Sequence, residues 1–545
     1  MTASNLTRLG FVALLGAACA RPGVQPTPSP TPLPRPQAPA RVVERAPLPP
    51  ANPALPPVPE AHGPLHINVV YPTPNQLIES RDSNFIFGTV GSGDAGLKIN
   101  GVLVPVWPNG SFMGWLANPS AASPTYDLVA TTGIDSARLN YPVKIRPPVV
   151  VDTLPRDTTR RDTVIPAPPN LFALVGSPAS TVNDTDRVFI GRPAPGNGQE
   201  YKWFLFPGTP VRVTGYRNDF ARIELDSAAP IWIQKSDIRL QPDGYSPPPR
   251  QAGAAARVEF STDWIDLVVP TNTPPPYLAE ETDRSISVLL YGTAAQNVVS
   301  ALPMPADKYV SGVSVAYEPN RIRYTILLNR AAYGYLALWQ NGSFVFRVRR
   351  PPVIADAQSP LRGLTITVDP GHPPAGATGP TALHESEATL AVGLKLRDLL
   401  LQRGVNVVMT RTTPDPVELG LRPIISRRAN AHAFVSIHLN AFPDGVNPFT
   451  RNGTTSYYFW PHSLLLGQLT QPKLVMELGL RDIGTKFGNF AVIRGSWMPS
   501  ILCEGLFIIM PDQEAAIRTP QYQEAYARGI VAGLESYFAS LARNQ

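Results

Sequence analysis

Four residues in the last third of this 545-residue chain have types and contexts that suit joint chemistry: His372, Glu385, His438 and Glu504. His372 closes the run Val368-Asp369-Pro370-Gly371-His372. The apolar stretch Leu364 to Val368 before it reads as a buried strand, broken by Pro370 and Gly371. His438 sits in Ser436-Ile437-His438-Leu439-Asn440, again at the end of an apolar strand. Both imidazoles can therefore lie at one sheet edge, where open α/β sheets present their ligand residues. Glu385 follows a Gly/Pro/Ala loop, Pro373 to Ala382, and opens a helix. Two histidines and a carboxylate suit zinc, with the fourth position left for water. Glu504, in Leu502-Cys503-Glu504-Gly505, ends a further strand in apolar sequence, where an unpaired carboxylate is costly. Proximity to a metal site would justify it as a general base.

Residue types alone leave alternatives open. Glu387 can replace Glu385, and His384, His432 and His462 are other possible ligands. Cys503 would point to the opposite side of the strand from Glu504 and reads as a small buried hydrophobe, not a nucleophile.

The elements that must position these groups form an α/β pattern from residue 361 onward. Ala388, Val392, Leu396 and Leu399 share one helical face, and Gly404 stands where a helix C-cap glycine belongs. Val405 to Met409 reads as a buried strand, and Pro423 suits the first turn of a helix reaching about Asn430. Phe434–His438, Thr454–Phe459 and Ser500–Glu504 read as strands, and Tyr522–Leu541 as a closing amphipathic helix. No long helical insertion is evident between His438 and Glu504, so no self-blocking helix is expected.

Upstream the character changes. The 63 prolines are too many for one compact fold and mark linkers between about three or four domains. Residues 1–19 resemble a bacterial lipoprotein signal. Arg8 is followed by a short apolar stretch ending Leu15-Gly16-Ala17-Ala18-Cys19, with Cys19 the residue to be acylated. Residues 20–62 form a Pro-rich tether, 147–169 and 241–252 further linkers. Residues 65–146 read as a β-sandwich, with hairpin turns at Asn100-Gly101 and Asn109-Gly110, and resemble bacterial Ig-like modules. Residues 170–240 resemble an SH3-like barrel. Residues 253–350, with a turn at Asn341-Gly342, resemble the AMIN-type β domains that precede some wall amidases. The formal charge of +6 is mildly basic, and no Lys/Arg block with interleaved aromatics points to nucleic acid.

Residues 361–545 resemble the catalytic domain of the zinc-dependent N-acetylmuramoyl-L-alanine amidases. The resemblance rests on Val368 to His372, the helix start Glu385 to Leu390-Ala391, and Arg427-Arg428-Ala429-Asn430. It continues through Val435 to Asn440, Asn489 to Arg494, and Pro499 to Gly505. It implies zinc held by His372, Glu385 and His438, with Glu504 catalytic, and it selects Glu385 over Glu387. It also implies hydrolysis of the amide joining N-acetylmuramic acid to L-alanine in peptidoglycan. The signal-like N-terminus separately points to an exported, membrane-anchored lipoprotein of the cell envelope. Asp369 and Asn440 are expected to orient ligands, and Arg494 to meet a substrate carboxylate. The family's Gly-Gly-x-Asp after the first histidine is replaced by Pro373-Pro374-Ala375-Gly376. The competing readings are a zinc peptidase cutting within stem peptides and a non-catalytic peptidoglycan-binding protein.

Overall fold

The computed structural model describes residues 43–146, 163–176, 188–196, 201–252, 255–374 and 376–543. The expected signal with Cys19, most of the tether and residues 147–162 of the second linker lie outside the described residues. No helix among the described residues is long and apolar enough to cross a membrane.

The C-terminal domain is a mixed sheet between helices. Its strands are β1 (Thr365–Pro370), β2 (Asn406–Met409), β3 (Ala433–Asn440), β4 (Thr454–Tyr458), β5 (Asp482–Phe487) and β6 (Ser500–Phe507). Their order is β2-β1-β3-β6-β4-β5. Only β4 and β6 meet antiparallel; the other neighbours are parallel. The helices are α1 (Glu385–Leu401), α2 (Leu421–Arg428), α3 (Pro448–Arg451), α4 (Pro461–Leu478), α5 (Pro511–Ile517) and α6 (Pro520–Ala542).

Alternation along the strands sorts the two faces. Val435 and Ile437 of β3, with Ile501 and Cys503 of β6, join the core beneath α1, α4 and α6. Phe434 and Leu502 point the other way, into a cluster with Val492 and Met498. The register aligns Asp369 with Ser436, Ser436 with Leu502, and His438 with Glu504. Asp369, His438 and Glu504 therefore share the face away from α1, α4 and α6. Helix α4 was not anticipated between His438 and Glu504. It is a core element, its Leu466 and Leu474 fully buried in the cluster that holds Ile501 and Cys503.

The upstream strands form sheets that dock on this domain. Strands Asn68–Tyr71, Ser83–Thr89 and Ser111–Ala117 make one sheet, and Gly96–Ile99, Val102–Val104, Thr125–Thr131 and Ser136–Pro142 another. Asn100-Gly101 and Asn341-Gly342 adopt the positive φ that hairpin turns require. Residues 165–240 supply a third antiparallel sheet, but Phe189–Gly191 and Trp203–Leu205 leave it. They join the six-stranded sheet of Tyr277–Thr282, Ser285–Tyr291, Val310–Glu318 and Arg321–Leu328, with Phe204 opposite Tyr277. The boundary expected near residue 240 is thus bridged by strand pairing. Residues 43–61, within the expected tether, hold no helix or strand, yet Leu55 and Val58 lie on the catalytic-domain core and Asn52 donates to Gly479 O at 2.8 Å.

Two polar junctions fix the modules. The fully buried Arg349 donates to Ala431 O, to Trp497 O at 3.1 Å, and to Asn430 O and Oδ1 at 2.9 Å each. Tyr333 donates to His432 O nearby. At the other end Asp444, just past β3, accepts from Tyr71 Oη, Asn84 Nδ2 (2.8 Å) and Glu79 N (2.7 Å). Because Arg349→Leu leaves several buried carbonyls without donors, it should cost on the order of 3 kcal/mol, read as a lower urea midpoint. An unchanged midpoint would show that the junction adds no stability.

Candidate metal centre and active site

At the open edge of β1, β3 and β6, ligand-type atoms of His372, Glu385 and His438 all lie within 4.8 Å of one another. His372 Nε2 is 3.2 Å from Glu385 Oε2, and His438 Nδ1 is 3.1 Å from Glu385 Oε1. Each carboxylate oxygen also accepts a backbone N–H at 2.9 Å, Oε2 from Ala377 and Oε1 from Leu439. Glu385 opens α1, where the helix dipole favours negative charge. Burial opposes its ionisation, but hydrogen bonds and charge from the two histidines outweigh it and hold the carboxyl well below its usual range. For His372, burial works against protonation, and the bond to Glu385 reverses this to a net upward shift.

The local backbone is shaped to bring the rings together. His372 has φ of +59°, a left-handed conformation that places its ring beside that of His438, with centroids 4.9 Å apart. A Cβ on Gly371 would stand 2.5 Å from the His438 ring, so only glycine fits. A Cβ on Gly376 would fall 3.0 Å from His372 and 3.2 Å from Glu385 Oε2.

Glu504 stands at the level of His438 on the neighbouring strand. Its Oε2 is buried and has no hydrogen-bond partner among the described residues. Burial, then the charge on Glu385, pushes its carboxyl well above the ordinary range. An orphaned carboxylate oxygen beside two histidines and a glutamate is what a cation-binding site looks like when described by protein atoms alone. The donor set of two imidazole nitrogens and one carboxylate fits zinc chemistry.

The remaining sequence candidates separate clearly. Asp369 is fully buried and accepts from Thr410 Oγ1 (2.6 Å), Ser436 Oγ (2.7 Å) and Arg422 Nη1 (2.8 Å). Asn440 turns onto its own chain, accepting from Ala441 N at 2.8 Å. Arg494 is away from the cluster, toward the other end of β6. It donates to Asn489 Oδ1 at 2.7 Å and lies 3.8 Å from the Tyr201 ring centroid. His384 and Glu387 are exposed. His432 accepts from Thr365 N at the start of β1, and burial lowers its pKa to about 4. His462 pairs with Glu281 at 2.7 Å across a module junction. Cys503 is buried on the opposite face, where burial raises its thiol pKa.

Three groups missed in the sequence hold the ligand loop. Arg422 reaches the carbonyls of Pro370 (2.9 Å), His372 (3.0 Å) and Pro373 (3.3 Å). Arg411 reaches those of Pro370 and Gly371, both at 2.9 Å. Glu514, fully buried, accepts from Thr381 N (2.9 Å) and Leu383 N (3.1 Å) in the segment leading to Glu385. An arginine two residues past the half-buried strand β2 was the available signal for Arg411.

Residues 366–536 match the family described as N-acetylmuramoyl-L-alanine amidase. YqiI of Bacillus subtilis is 35% identical over 190 residues, 34% of this chain and 89% of that protein. The N-acetylmuramoyl-L-alanine amidase CwlM of Bacillus licheniformis is 33% identical over 188 residues, 33% of this chain and 70% of that protein. The solved structure of the amidase AmiC2 of Nostoc punctiforme is 33% identical, covers 32% of this chain and 96% of that one, and gives a TM-score of 0.30. On the family match and these sequence identities, the chain belongs to the N-acetylmuramoyl-L-alanine amidases, with the family's domain in its C-terminal third.

Proposed function

We propose that the protein hydrolyses the amide between N-acetylmuramic acid and L-alanine in peptidoglycan with a zinc ion held by His372, Glu385 and His438, and with Glu504 as the proton carrier. The observation that supports this most directly is the His-Glu-His cluster set beside the partnerless Oε2 of Glu504. Bound there, zinc supplies Lewis acidity toward the scissile carbonyl and the attacking water.

The chain's own groups supply the rest. Glu385, charged and held by two backbone amides, fixes both imidazoles. Glu504 takes a proton from water through its free oxygen and returns it to the leaving amine of L-alanine. Asp369 acts through Arg422, which grips the His372 carbonyl. Arg494 is not assigned to the reaction, because its guanidinium is spent on Asn489, and Asn440, whose Oδ1 accepts from Ala441 N, is given no role.

The same reading places the protein in the cell envelope. Cys19, at the end of the leader, is the proposed lipid-anchor site. Residues 65–146, 170–240 and 253–350 are read as Ig-like, SH3-like and AMIN-like modules.

Glu504→Gln is expected to lower kcat on purified wall by about 10²- to 10⁴-fold with zinc content unchanged. Digestion at the parent rate would overturn the role given to Glu504. His372→Ala should lose stoichiometric zinc in metal analysis, and undiminished metal would sink the ligand set. Products should be intact stem peptides by mass spectrometry; shortened stems would mean a peptidase instead. Cys19→Ala should move the protein from the membrane to the soluble fraction, and persistence in the membrane would exclude Cys19 as the anchor.

A further inference from the structure

Helix α6 closes the domain by packing, but one of its tyrosines also reaches the two strands that carry His438 and Glu504. Tyr526 is fully buried. Its hydroxyl donates to Cys503 O at 2.7 Å, with His438 O, 3.1 Å away, as the second acceptor. We propose that Tyr526 is a positioning residue for Glu504: it ties the chain just before that carboxylate to the chain at His438 and so fixes the separation of the two side chains. The proposal rests on the reading of Glu504 as the proton carrier.

Three observations carry it. The first is that the ladder between β3 and β6 breaks at this point. After His438 opposite Glu504 the next pair is Asn440 opposite Phe507, two residues on along β3 and three along β6. Strand β6 therefore carries an extra residue directly after Glu504. Such a bulge interrupts the ladder, re-aims the side chains around it and leaves backbone groups to be satisfied by other means. Tyr526 supplies one of those means. The buried Thr454 supplies another, donating its hydroxyl to Gly505 O at 2.8 Å. The carbonyls on either side of Glu504 are thus each held by a buried hydroxyl.

The second observation is the fit of the ring. A Cβ on Gly505 would stand 2.5 Å from Tyr526 Cε1 and Cζ, so the ring closes on the backbone of the residue that follows Glu504. The helix behind it has no slack. A Cβ on Gly533 would stand 2.6 Å from Thr470 Cα, so α6 is pressed against α4 and holds Tyr526 at a fixed height over the sheet.

The third is the carboxylate itself. Glu504 Oε2 has no hydrogen-bond partner among the described residues. With no bond to hold that oxygen, its place is set by the backbone, and Tyr526 holds the backbone. A proton carrier shifted by a fraction of an ångström loses rate, because transfer depends steeply on the separation of the heavy atoms.

The test compares Tyr526→Phe, which keeps the ring and removes the hydroxyl, with Tyr522→Phe. Tyr522 stands one turn earlier on α6, and its hydroxyl donates to Leu478 O at 2.7 Å, at the end of α4. On soluble peptidoglycan fragments Tyr526→Phe is expected to lower kcat about tenfold, with KM within about twofold and zinc content unchanged, while Tyr522→Phe keeps the parental kcat. In the metal-free protein, amide hydrogen exchange over residues 500–507 should quicken about tenfold in Tyr526→Phe alone. Combined with Glu504→Gln, Tyr526→Phe should lower kcat no further, since it acts through that carboxylate. If Tyr526→Phe does not fold, Tyr526→Met, whose flexible side chain fills the space of the ring, is read in the same way. A parental kcat in Tyr526→Phe, an equal loss in Tyr522→Phe, unchanged exchange, or a full tenfold loss on top of Glu504→Gln would each overturn the proposal. Glu504→Gln at the parental rate would remove the proton-carrier reading and the proposal with it, whereas a parental Tyr526→Phe beside a crippled Glu504→Gln overturns the proposal alone.

Discussion

The ion pair of Asp369 and Arg422 is the contact on which the site depends. Both side chains are almost wholly out of water, at 0% and 3% exposure. Desolvating two charges is expensive, and their attraction offsets this only when the remaining lone pairs and N–H groups are satisfied. Here they are. Asp369 takes two hydroxyl donors as well as the guanidinium, and Arg422 spends its other donors on the carbonyls of Pro370, His372, Pro373 and Val417. The return for that burial is positional. The turn leaving β1 carries His372 in a left-handed conformation, and the carbonyls on either side of it are pinned from below. The imidazole then meets Glu385 at a fixed separation. A carboxylate shared by two imidazoles would otherwise let the loop move to whichever partner it preferred.

Much of the C-terminal domain was legible in the sequence because its buried strands are short, apolar and end in chemistry. β1, β3 and β6 announce themselves in this way, and α1 through its apolar stripe. What escaped has identifiable causes. Pro472 lies inside α4, and an internal proline argues against a helix unless tertiary packing overrides it, as the burial of Leu466, Leu474 and Leu478 does. β5 is an edge strand with polar composition and no apolar run to betray it. Glu385 could not be separated from Glu387 by residue type alone. Helix geometry resolves them, since the first faces the core edge and the second faces solvent. Arg494 illustrates the opposite error. A motif residue with a free-looking charge is, in three dimensions, stacked on Tyr201, from a segment some 290 residues upstream.

The upstream sheets were read as modules on Pro-rich linkers. Their surfaces behave differently. Asp226 and Arg321 form a bidentate pair at 2.6 and 3.0 Å between the sheet of residues 165–240 and the one that holds Arg321–Leu328, with the Asp226 side chain almost fully buried. Glu281, in the strand Tyr277–Thr282, and His462 form a buried pair between that sheet and the catalytic domain. Such pairs fix orientation even where they add little net stability. The proline content therefore marks where the chain passes between bodies, and tells little about whether those bodies move.

The first sheet shows what this arrangement demands of its own sequence. Phe85 and Phe87 on one side of their strand belong to the same apolar cluster as Phe507 and Met510 of the catalytic domain, while Ile86 between them belongs to the core of the sandwich. The strand is buried on both faces. A fragment of this chain cut between the sandwich and the enzyme would leave two matching apolar surfaces wet, each a nucleus for self-association. Sandwich and enzyme thus share one buried apolar seam, and a substitution on either side of it acts through the fit of both.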